Sequence, residues 1–85
     1  MNTIHLWVPA TFWNDHAERN PCDPGQTIAT EVREAGRRVC IEADISQIEV
    51  LRNDAAFYAE GNVDGCRGLI LSARATLAAI AKATA

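Results

Sequence analysis

The stretch from Arg38 to Glu60, RVCIEADISQIEVLRNDAAFYAE, constrains this chain more than any other, because its apolar residues change spacing partway along it. The first part is short, β-prone and continuous through Val39, Cys40 and Ile41; the second recurs with a period near 3.6 residues. A strand must run directly into a helix. Asp44 marks the change: its carboxylate can accept from the free amides of a first helical turn, and Gln47 three residues later completes a D-x-x-Q capping box. The helix is expected to start at Ile45. Ile48, Leu51, Ala55, Tyr58 and Ala59 then form its core-facing stripe with Ile45 on the edge, while Gln47, Glu49, Asn53, Asp54 and Glu60 occupy the remainder. Gly61 supplies the left-handed residue that closes such a helix.

Upstream, Thr3 to Val8 alternates as a strand, with Ile4, Leu6 and Val8 on one face and His5 and Trp7 on the other. Pro9 ends its ladder, and Pro9-Ala10-Thr11 suits the start of a helix through Asn20, with Thr11 as a rival cap position. Phe12, Trp13, His16 and Ala17 share the inner face of that helix. The run Asn20-Pro21-Cys22-Asp23-Pro24-Gly25 breaks it. Asp23, with Pro24 and Gln26 behind it, can cap a second helix in which Ile28, Ala29, Val32 and Ala35 recur at helical spacing and which Gly36 ends. After the loop Asn62-Val63-Asp64-Gly65, an alanine-rich helix from Cys66 to Lys82 carries the stripe Leu69, Ile70, Ala73, Leu77, Ile80 and Ala81.

The expected order is therefore β-α-α-β-α-α: an α/β (α+β) chain, one domain over residues 1–85, with a two-stranded sheet covered by four helices. About thirty residues separate the strands, so both parallel and antiparallel pairing are open. A two-stranded ribbon is marginal alone, which leaves an edge for another chain to complete.

Composition narrows the function classes. With 48% hydrophobic and 22% charged residues the chain should fold rather than remain disordered. No apolar run is long enough to cross a bilayer and the first residues lack the pattern of a signal peptide, so a cytoplasmic protein is expected. Cys22, Cys40 and Cys66 are odd in number and widely spaced, which argues against both a disulfide framework and a zinc knuckle. The net charge is −3, with ten acids against five bases in residues 1–60 and one acid against three bases beyond. That balance argues against a nucleic-acid-binding basic patch over most of the surface, and so against direct nucleic-acid binding, and leaves a basic protein partner open.

No phosphate-binding, dinucleotide-binding, zinc-protease or nucleophile-elbow motif occurs, so no cofactor and no catalytic residue is expected. Cys66, beside Arg67 near a helix start, and Cys22, in a turn, have the settings that activate thiols, but the two histidines, His5 and His16, lie in the other half of the chain from Cys66. Small, idle thiols account for them better. His16 with Cys22, Asp15 and Asp23 matches no metal-ligand spacing, and a core histidine is the simpler reading. Paired carboxylates such as Glu31 and Glu34 are explained by solvated helix faces.

Two features point to binding. Val50 and Phe57 lie seven residues apart on one face of the helix from Ile45, away from its core stripe, flanked by Glu49, Asn53 and Glu60. Asp15, Glu18, Asp23, Glu31 and Glu34 along the first two helices can, on one surface, imitate a row of phosphates and enter the arginine-lined groove of a partner that binds nucleic acid. The leading expectation is a small acidic, non-enzymatic protein that inhibits or modulates a larger partner. In size and charge it resembles accessory proteins of phages and mobile elements, anti-CRISPR proteins among them, a likeness of profile without a shared motif. The alternative is a homo-oligomeric structural protein that buries Val50, Phe57 and a strand edge against a second copy, a homodimer in the simplest case. A thiol-dependent enzyme stands third.

Overall fold

A computed structural model describes residues 3–19, 29–61 and 67–84. Its elements run β1 (Ile4–Pro9), α1 (Ala10–Arg19), β2 (Thr30–Ala35), β3 (Arg38–Ala43), α2 (Ile45–Ala59) and α3 (Arg67–Ala83). The result is a small α+β fold in which, among the described residues, a three-stranded antiparallel sheet ordered β1-β3-β2 packs against three helices.

The strand expected within 38–43 is the central one, and it passes through Asp44 alone into α2. Asp44 accepts the Gln47 amide at 2.9 Å, and the Gln47 side chain accepts the Asp44 amide at 2.8 Å, so both halves of the capping box form. Ser46 and Gln47 donate to the Asp44 carboxylate, with the Gln47 amide the larger influence, and hold it below the usual aspartate range. At the other end Gly61, at φ 80°, donates its amide to the Tyr58 carbonyl and closes the helix in the left-handed conformation expected of it.

Register sets the core. Ile4 lies opposite Ala43, Leu6 opposite Ile41 and Val8 opposite Val39, so the inward residues of β1 and β3 form one apolar face. The core joins this face to Phe12 and Trp13 of α1, Ile48, Leu51, Ala55 and Tyr58 of α2, and Ala73 and Ile80 of α3. Thr76 is also fully buried on α3, a polar residue that the apolar stripe omits; its hydroxyl donates to the Ser72 carbonyl at 2.8 Å and so needs no other partner. Ala81, placed in that stripe, is exposed.

Two expectations about architecture need correction. The sheet has three strands rather than two, and residues 30–35 form β2 where a helix is expected through Ala35. Glu31, Arg33, Glu34 and Ala35 are all good or tolerable helix formers, but a helix there would bury little, since residues 31–35 are exposed even as a strand. Pairing along β3 satisfies their backbone instead, with a bulge between Glu31 and Arg33. Gly36 does not end a helix. With Arg37 it forms the two-residue link of a β2–β3 hairpin, and its φ of 61° is the conformation that a hairpin turn led by glycine requires. The Arg37 carbonyl then accepts the Ala10 amide at 2.8 Å, tying the first turn of α1 to that hairpin.

Candidate functional site

α2 has chemistry on two sides, and they differ in kind. On the side toward α1, His16 is 1% exposed and lies 2.6 Å from Asp54, Nδ1 to Oδ2. Arg19 donates to both oxygens of Asp54, at 2.8 and 2.7 Å, and its Nε donates to Asp15 at 2.7 Å. The same guanidinium sits over the Tyr58 ring, 4.5 Å from its centroid. Burial works against the charge on Asp54, but hydrogen bonds from Arg19 and His16 prevail and hold its carboxyl below the usual range. The Asp54 hydrogen bond in turn holds the Arg19 guanidinium firmly protonated.

A His–Asp pair is half of many catalytic sites, but the imidazole of this one is closed off from solvent. His16 packs against the rings of Phe12 and Trp13, at centroid distances of 6.2 and 5.8 Å, and is almost fully buried. Its place in the core is a structural one: it clamps α1 to α2. Among the described residues no three metal-ligating side chains converge, and His16 Nδ1 meets Asp54. Helical spacing assigns Asp54 to the outer remainder of α2; the docking angle of α1 brings it inside this cluster. The trace in the sequence is His16 and Arg19 close together on α1, two groups suited to a shared acid, but spacing within one helix cannot say which neighbour supplies it.

The opposite side of α2 is open. Val50 is 39% exposed and Phe57 54%, one above the other at seven-residue spacing, with Glu49, Asn53 and Glu60 exposed beside them. Phe57 meets Tyr58 edge to face at 6.0 Å, which steadies its ring while leaving more than half of it to solvent. These five residues lie together on one surface of a helix that is anchored on its other side by Ile48, Leu51, Ala55 and Tyr58.

The remaining acids are spread out. Asp15 is on the α2 flank of α1, paired with Arg19, whereas Glu18 is exposed on the outer side. Glu31 and Glu34 belong to β2, opposite Ile41 and Val39, so both project from the helix-side face of that edge strand. Glu31 accepts the Trp13 indole N–H at 2.9 Å. Trp13 and Asp15 occupy different flanks of α1, so Glu31 and Asp15 do not stand in one row. Asp23, Cys22 and Cys66 lie outside the described residues; Cys40 is a buried free thiol in the central strand. Among the described residues, no helix is long and apolar enough to cross a membrane. Compared with protein-family models, with curated proteins and with solved structures, the chain shows no match.

Proposed function

We propose that this protein is a small, non-enzymatic binding module that acts in the cytoplasm as a stoichiometric inhibitor or modulator of a larger protein, the role that accessory proteins of phages and mobile elements fill. Its docking face is the outer side of α2, with Val50 and Phe57 as apolar anchors and Glu49, Asn53 and Glu60 as the rim. The observation that carries this reading is the exposure of Phe57, 54%, on a helix whose inner side is fully packed. A large aromatic placed beside a valine and rimmed by acids has the make-up of an interface centre, where aromatic side chains contribute most of the affinity. The acids of the rim and the net charge of −3 select a partner with a basic surface, such as the groove of a nucleic-acid-binding protein.

The test is affinity capture of a partner by the wild-type chain, followed by titration of that partner with Val50→Asp and Phe57→Asp. Each variant should fold normally and lose about thirtyfold or more in affinity, the scale of an interface hot spot. Equal affinity of wild type and variants removes this face. A sedimentation measurement distinguishes the other occupant: a stable dimer that Phe57→Asp dissociates makes the face a contact between copies.

A further inference from the structure

A second concavity lies on the far side of the fold from β2, along β1, and its chemistry is opposite in sign. Among the described residues β1 is an edge strand, paired with β3 alone. Between it and the C-terminal half of α3 runs a groove of about 490 Å³, lined by His5, Leu6, Trp7, Arg38 and Lys82 over a floor of α3 alanines. That volume is within the range of sites that hold a ligand of a few residues.

Three consecutive residues of β1 line this groove, although successive side chains of a strand point to opposite faces. Leu6 points into the core and is almost fully buried, while His5 and Trp7 point the other way. A groove that touches all three reaches the outer edge of the strand, beside the wall that α3 forms against β1. Ala75, Ala78 and Ala79, one face of α3, keep the opposite wall low. Among the described residues no acid lines the groove; Glu42 stands next to it, 3.8 Å from His5. Among the described residues neither Arg38 nor Lys82 belongs to an ion pair, whereas Arg19 is held by two.

We propose that this groove takes an extended acidic segment of a partner protein, which adds a fourth strand to the sheet along β1 and sets its carboxylates against Lys82 and Arg38. Charge decides the occupant. A second copy offering its own β1, IHLWVP, supplies no carboxylate to the two cations, and a basic or neutral strand leaves them unpaired. The site is independent of the α2 face: one takes an acidic strand, the other a basic surface.

The experiment is a selection of random octapeptides on the full chain, followed by amide-resolved NMR titration with the peptide most enriched. The expected peptides combine Asp or Glu with β-branched residues, shift the amides of Ile4–Val8 and of α3 beyond Ala75, and slow exchange in β1. Lys82→Glu and Arg38→Glu should each weaken them about tenfold or more, Ala78→Trp should exclude them, and Phe57→Asp should leave them unchanged. N-methylation of alternate peptide amides should abolish binding, because strand addition needs main-chain hydrogen bonds. The proposal is overturned by selection of basic or neutral peptides, by shifts confined to other surfaces, by full affinity after N-methylation, which indicates a carboxylate ligand without strand pairing, or by no enrichment at all. A dimer whose β1 amides are protected without peptide overturns it in favour of a second copy.

Discussion

Phe12 and Phe57 are the two phenylalanines of the chain, both on helices and both in edge-to-face contact with the same ring, that of Tyr58, at 5.6 and 6.0 Å. Phe12 is fully enclosed and Phe57 is more than half exposed. The difference comes from what lies beyond Tyr58 on each side. Toward Phe12 there are the sheet, Trp13 and the His16–Asp54–Arg19 cluster, in which polar groups are paired with one another. Toward Phe57 there is the solvent side of α2, where the neighbours are Glu49, Asn53 and Glu60. One helix thus divides a region in which side chains serve stability from a region free to serve recognition.

The largest expected effect tests that division directly. Phe12→Ala should destabilise the fold by about 3–5 kcal/mol, the usual result of emptying a packed aromatic site, and Phe57→Ala by no more than about 0.5 kcal/mol. Urea denaturation of the two variants measures both; similar losses would mean that the two sides of α2 are not distinct.

Next is the clamp. Asp54→Ala removes the acceptor of His16 and Arg19 and should lower stability by about 2–3 kcal/mol, the range for hydrogen bonds to charged groups. The pH dependence has a definite sign. The Asp54 carboxyl in the fold lies below its unfolded value of about 3.9, so its contribution is complete above that pH and is lost as the pH falls through the folded value. The gap between wild type and Asp54→Asn should therefore be full at pH 7 and narrow below about pH 4. A gap that stays constant into acid would show that the ionised carboxylate is not what holds α1 to α2.

Smaller effects sharpen the frame around these helices. Gly36→Ala forces a side chain into the left-handed region at φ 61° and should lower stability by about 1–2 kcal/mol, although no atom lies within 4 Å of the added methyl. A neutral Gly36→Ala, measured by thermal or urea unfolding, would argue against the hairpin geometry. Asp44→Ala deletes the cap of α2 and should lower stability by about 1 kcal/mol by the same measurement. The smallest change in stability, near zero, belongs to Phe57→Asp, the variant expected to damage partner binding most.

The parts legible in advance are those whose causes are local. Asp44 and Gln47 are three residues apart and form their box from their own backbone, and the stripe Ile48, Leu51, Ala55 and Tyr58 is buried as its period implies. Val50 and Phe57 were placed outward by the same periodicity, so the members of the α2 face could be named from spacing alone. The hairpin also left a trace: Gly36-Arg37 separates two six-residue segments, 30–35 and 38–43, and a glycine-led two-residue link is a recognisable turn pattern. Ile28, Ala29, Val32 and Ala35 outweighed it because they also fit a helix.

By itself the sequence determined the strand-to-helix junction at Asp44, the inner and outer sides of α1 and α2, and the inward face of β1, since each follows from neighbours within a few residues. Only the tertiary structure decided that residues 30–35 are a strand, that Asp54 belongs with His16 and Arg19, and that a cationic groove follows β1. A weak local preference gives way where pairing along β3 satisfies a whole row of backbone groups, and the identity of a partner across a helix seam depends on docking angles that no single segment contains.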